Sequence, residues 1–172
     1  MKSFKIIFAA LAAMMLSGCG ILSSGLATEP DPSAQELVAA ALEKGELKFE
    51  VEYIIPSRGA SRTSFDGYFL SIEDGKVNSN LPFFGVSHTA QIYGVDPSGI
   101  DFDDYPINID TLRSRPEKGR YIWHFVAKSG RSDVDVTLTF FTNGSASLAC
   151  NPTNRSAMNY RGRLVPLPEK DK

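Results

Sequence analysis

The side chains in this chain that could do chemistry are few, and their spacing limits what they could do. There are two histidines, His88 and His124. Zinc sites need three or four ligands held by supporting hydrogen bonds, and nothing in the spacing of these two supplies them. His124 lies between Trp123 and Phe125 on an expected strand, facing away from both, which suits a structural histidine. Asp101, Asp103 and Asp104 are dense in acid. A calcium loop needs more oxygen ligands and a glycine at its turn, so these carboxylates read as a solvated face. Ser87 and His88 are neighbours whose side chains diverge on an extended chain. They do not make the nucleophile, base and orienter of serine catalysis. No Gly-x-Ser-x-Gly elbow, phosphate-binding loop or dinucleotide fingerprint is present. The expectation is a protein that is not an enzyme and uses neither metal nor cofactor.

Two groups remain as binding candidates. One is the stretch 81–99, long and aromatic, with Phe83, Phe84, His88 and Tyr93. Long loops in compact domains are often binding loops or lids; the alternative is that these rings plug the end of a barrel. The other group is Arg58, Arg62 and Arg155, near turns. They could hold a carboxylate or a headgroup, or bond loop carbonyls and cover apolar surface with their stems. The candidate ligand-binding set is Phe83, Phe84, His88, Tyr93 and Arg62.

The clearest signal is at the N-terminus. Lys2 and Lys5 precede an apolar run over residues 6–16 that no charge interrupts, followed by Leu16-Ser17-Gly18-Cys19. A charged start, a short apolar run and small residues at the cut describe a secretory signal peptide. The run is well short of the roughly 20 residues of a permanent span. The tetrad resembles the bacterial lipobox, in which the Cys is lipidated and the chain is cut before it. Each buried methylene adds about 0.8 kcal/mol to anchoring, and stable attachment needs more than one chain. The resemblance to a lipoprotein implies three chains on Cys19. Gly20 stands where Asp would favour retention at the inner membrane in Gram-negative cells. The expected location is the cell envelope, at the periplasmic face of the outer membrane.

Removing the 18 residues before Cys19 from 172 leaves 154, one domain's worth and enough for a core. The chain has 18 basic and 20 acidic residues; without Lys2 and Lys5 the balance is 16 against 20, a net charge of −4. No basic cluster suggests a nucleic-acid surface. With Cys19 lipidated, Cys150 has no internal partner in an oxidising compartment. It alternates with Ala146 and Leu148, which points to burial.

The elements that must position these residues can be read from periodicity. Residues 19–32 form a tether. Ser33-Ala34-Gln35-Glu36 has capping-box spacing, and Gly45 ends an Ala-rich helix whose apolar side holds Leu37, Val38, Ala41 and Leu42. The period then becomes two. Phe49, Val51, Tyr53 and Ile55 alternate with charge, as do Tyr68, Leu70 and Ile72 with their neighbours. Asp74-Gly75 and Asn143-Gly144 mark tight hairpins. Further strands are expected at 77–81, 100–102, 107–112, 120–128, 133–140, 145–150 and 158–165. Val136, Leu138 and Phe140 form the clearest inward face. The reading is mainly β: an antiparallel barrel or strongly curved sheet of about eight strands with one N-terminal helix. The single domain spans 33–166, with a tail at 167–172.

From residue 49 to about 163 the chain also resembles a known family. The residues are Pro56 with Gly59-Ala60-Ser61-Arg62, Leu81-Pro82-Phe83-Phe84-Gly85, Gly99-Ile100-Asp101-Phe102, Asn143-Gly144-Ser145-Ala146, Asn154-Arg155-Ser156, and Tyr160 with Gly162. They are similar to the domain of unknown function 4251 family of bacterial lipoproteins. That resemblance implies a lipocalin-like fold and an exported lipoprotein, and it implies no activity. The function expected is a lipid-anchored, non-catalytic binding module for a small or apolar ligand. The alternative is a structural or assembly accessory that binds another envelope protein.

Overall fold

The computed structural model describes residues 32–85, 99–130 and 132–168. The signal peptide, Cys19 and all of the tether but Pro32 lie outside the described residues, as do 169–172 of the tail.

Helix α1 (Pro32–Lys44) opens on proline, whose missing N–H is no loss in a first turn. It stops where Gly45 takes a positive φ of 72°. Val38 and Ala41 are buried against the sheet. Leu42, expected on the apolar side, faces solvent, because the helix packs along a narrower stripe than its composition suggests.

Nine strands follow: β1 (Leu47–Pro56), β2 (Arg62–Thr63), β3 (Phe69–Glu73), β4 (Lys76–Pro82), β5 (Gly99–Pro106), β6 (Arg120–Ser129), β7 (Ser132–Phe141), β8 (Ser145–Pro152) and β9 (Met158–Val165). The sheet order is β5-β4-β3-β1-β9-β8-β7-β6, with β2 paired to the second half of β1. All described pairings are antiparallel. The eight long strands curl into a nearly closed barrel. At the seam between β5 and β6, the Asp101 N–H donates to Ser129 Oγ at 3.1 Å.

The hairpins form where the sequence places Gly after a polar residue. Asp74 and Gly75 both have positive φ, 51° and 70°, the requirement of a type I′ turn. The interior is filled by side chains. Phe49, Leu70, Ile72, Leu81, Ile100, Phe125, Leu138, Phe140, Leu148, Met158 and Tyr160 are all fully or almost fully buried. Each such burial contributes about 1.5–3 kcal/mol. Cys150 is buried beside Leu148, as its alternation implies.

Two further expectations need correction. The segment 107–112 is not a strand. It joins the sheet through one bridge, where Asp110 exchanges backbone hydrogen bonds of 2.8 and 2.9 Å with the outer edge of β6 at His124. Ser114 Oγ continues that cover by bonding both the N–H and the carbonyl of Ile122. The segment therefore caps an edge rather than adding a strand.

The second correction concerns β1. Its alternation breaks at Glu52, because Val51 pairs with Gly162 and Tyr53 with Arg161, so Glu52 is an extra residue. This β-bulge inverts the inward and outward phases of the strand beyond it. Leu47, Phe49 and Val51 point in, and then Ile54 and Pro56 do. Tyr53 and Ile55, expected inside, are pushed to the outer wall, with Tyr53 49% exposed.

Candidate functional site

Two regions of the barrel carry the candidate chemistry, and β2 separates them. Residues opposite each other on paired strands share a face. Arg62 pairs with inward Ile54, and Thr63 pairs with outward Tyr53. Arg62 therefore lies over the barrel mouth, while its neighbour Ser61 lies on the outer wall.

At the mouth, β4 ends in Pro82, whose carbonyl accepts a 2.8 Å hydrogen bond from the buried Tyr160 hydroxyl. Phe83 follows and packs partly buried against the core. The Arg155 guanidinium sits 5.1 Å from the Phe83 ring centroid, and Arg155 Nη1 donates to the Gly99 carbonyl at 3.1 Å. Arg155 thus ties the turn before β9 to the start of β5. Phe84 points the other way and is 41% exposed. The Arg62 guanidinium stacks over it at 4.5 Å from the centroid. Gly85 has no room for a side chain, since a Cβ would collide with Ser156 Oγ and the Phe83 ring. Of the sequence candidates, Phe83, Phe84 and Arg62 meet here, and Arg155 joins them. His88 and Tyr93 lie outside the described residues.

On the outer wall, a groove of about 600 Å³ runs across β1, β9 and β8 to the end of β7. The register builds it row by row: Tyr53 opposite Arg161, Arg161 opposite Ser147, and Arg163 opposite Ser145. Ser145, Ala146, Ser147 and Gly162 leave a low floor. Tyr53 and Ile55 form one wall and Phe141, 38% exposed, forms another. Arg161 and Ser61 supply polar groups. Glu52 also lines the groove, and Arg163 Nε holds its carboxylate at 3.2 Å. Sequence reasoning missed this groove. Its signal was Gly162, whose Cβ would run into the Glu50 carbonyl of β1, a close approach that marks the bulge.

The remaining chemical groups sit apart. His124 Nε2 lies 2.9 Å from Asp135 Oδ2 on the outside of β6 and β7. Asp104, with a positive φ of 43°, exchanges two hydrogen bonds with the Asn78 side chain at the β4–β5 bulge. Among the described residues, no three His, Cys, Asp or Glu side chains gather as metal ligands. Burial pushes the Cys150 thiol upward, with a smaller push from Asp135. Burial also raises the Tyr160 phenol, with smaller contributions from Cys150 and Asp101. Both groups are held protonated, the opposite of an activated nucleophile.

A sequence-family model for a domain of unknown function, DUF4251, matches residues 31–164. A crystal structure of a DUF4251 family protein from Bacteroides eggerthii is similar in fold, with a TM-score of 0.55 and 17% identity, over 79% of this chain and 89% of that one. No curated protein matches the chain.

Proposed function

This chain belongs to the DUF4251 family, and from that premise we propose that it is a lipid-anchored envelope protein whose barrel is a non-catalytic binding module. The lipobox at Cys19 supports the anchor, placed at the periplasmic face of the outer membrane. The binding site is the outer-wall groove rather than the barrel interior, which side chains fill. The observation that carries this reading is the groove itself. Its volume of about 600 Å³ falls within the roughly 300–1,000 Å³ usual for small-ligand sites. Aromatic walls with a few polar groups also fit that role. The protonated Cys150 and Tyr160 support a role without catalysis.

Native mass spectrometry of the full chain, purified in mild detergent from its own cells, tests the reading. A retained small molecule is expected, lost from a Tyr53→Ser/Phe141→Ser variant. Retention of the same mass by the variant would count against the groove. For the anchor, Cys19→Ala should move the protein out of the membrane fraction, and membrane retention of that variant would count against lipidation.

A second reading, an assembly accessory for another envelope protein, is favoured by the β5–β6 seam. Val126 of β6 is exposed there, beyond the part of the edge that the 107–115 segment covers. Cross-linking from position 126 in cells separates the two readings.

A further inference from the structure

Arg161 stands in the groove without a described counter-charge. Its neighbour Arg163 is engaged by Glu52 at 3.2 Å, which neutralises the one carboxylate lining the groove. Among the described residues no carboxylate lies within ion-pair distance of Arg161. The groove therefore carries one uncompensated positive charge, on a guanidinium whose planar fork matches a carboxylate or phosphate.

The rest of the lining narrows the ligand further. Four hydroxyl-bearing residues line the groove, Ser61, Ser145, Ser147 and Tyr53. Ser145 Oγ donates to Asn143 Oδ1 at 2.7 Å, so towards a ligand it acts as an acceptor. Ser61 and Ser147 can donate and accept. Tyr53 and Phe141, both exposed, stand at opposite ends of this hydroxyl-lined floor. A purely apolar ligand would leave the hydroxyls and the guanidinium without partners as it displaced water, which is costly. A fully polar ion would gain nothing from the rings. A ring with an apolar face, several hydroxyls and one negative charge satisfies every group.

We infer that the outer-wall groove binds an anionic sugar. The acidic group sits on Arg161, hydroxyls bond Ser61 and Ser147, and one sugar face lies against Tyr53 with Phe141 opposite. This inference rests on the groove being the binding site, and it names the ligand class.

The test compares cellobiouronate with cellobiose, which differ in one carboxylate, by calorimetric titration of the full chain in detergent. Cellobiose 6-phosphate serves as a third probe and separates a carboxylate site from a phosphate site. The acidic probe should bind, and the neutral one should bind about tenfold more weakly or worse, the usual weight of a charge-assisted hydrogen bond. Arg161→Gln should erase that difference, and Arg161→Lys should restore part of it. Circular dichroism of each variant controls for folding; these side chains are exposed, so the fold should persist. Equal affinity for charged and neutral probes, with loss of both in Tyr53→Ser, would overturn the acidic ligand but leave the groove as the site. Binding that no groove substitution alters, or no binding of any probe, would overturn the inference. A retained ligand lost from Tyr53→Ser/Phe141→Ser would still uphold the broader reading in that last case.

Discussion

The Tyr160 hydroxyl of β9 donates a 2.8 Å hydrogen bond to the Pro82 carbonyl at the end of β4, 78 residues away in the chain. Two strands, β3 and β1, lie between them around the wall, so the bond crosses the interior. It satisfies a buried hydroxyl and a carbonyl at the last residue of β4, where the chain leaves the sheet towards Phe83. A mainly apolar interior thus ties β9 to the end of β4 at its mouth through a buried polar link, beside the one that Arg155 makes to Gly99.

Tyr160→Phe keeps the ring and removes only the hydroxyl. A buried acceptor left without its donor costs about 1–3 kcal/mol. The urea midpoint should fall by a corresponding amount, with the slope of the transition unchanged. An unaltered midpoint would mean that water reaches the Pro82 carbonyl.

Gly162 decides the shape of the outer wall. A methyl group there would press on the backbone of β1 at Glu50, which is not free to move because it pairs on both sides. Gly162→Ala should therefore cost at least the 1–3 kcal/mol or so typical of overpacking. It should also weaken binding in the groove, since Tyr53 owes its outward position to the bulge beside this glycine. A variant as stable as the parent would show that β1 and β9 are further apart here.

Much of this architecture is legible in the chain, and what shapes the groove was missed for one cause. The Ala-rich run stopped by Gly45 finds α1, Asp74-Gly75 and Asn143-Gly144 find their hairpins, and strict alternation finds the inward face Val136, Leu138 and Phe140, all fully buried. Those signals are local. The bulge at Glu52 is not, since it depends on which residue of β9 lies opposite. Period-two reading therefore carried Tyr53 and Ile55 to the wrong side. The groove follows from the same register across three further strands, so no single segment announces it. The mouth was legible in part. Pro82 fixes an extended chain, which sends Phe83 and Phe84 to opposite sides, but nothing in the sequence assigns Arg155 to one ring and Arg62 to the other. The two-residue β2 is too short for any periodicity.

The buried thiol of Cys150 gives a dependence on pH. Burial raises it above its ordinary value of 9.0, so the folded state favours the protonated form. Below that value both folded and unfolded chains hold the proton, and the contribution is complete. Above it the unfolded chain releases the proton first, and stability falls as pH rises. Tyr160 acts in the same direction from its ordinary value of 10.0. Urea midpoints of the parent and Cys150→Ala should therefore converge as pH rises past 9. A constant gap from pH 7 to 10 would mean that the thiol ionises as readily in the folded protein.

The last prediction separates the two rings at the mouth. Phe83 packs against the core under the Arg155 guanidinium, while Phe84 lies at the surface, 41% exposed, under Arg62. Full burial of a phenylalanine makes its truncation cost about 3–5 kcal/mol. Phe83 is only partly buried, so about 2–3 kcal/mol is expected for Phe83→Ala. Phe84→Ala removes a surface cation–π contact, worth about 0.5–1 kcal/mol. The two variants should therefore differ clearly in urea midpoint, with Phe83→Ala the lower. Affinity of the groove should be insensitive to Phe84→Ala, because Arg62 and Ser61 lie on opposite sides of β2. Equal and large losses of stability would mean that both rings plug the barrel. A loss of ligand affinity in Phe84→Ala at unchanged stability would move the binding site from the outer wall to the mouth.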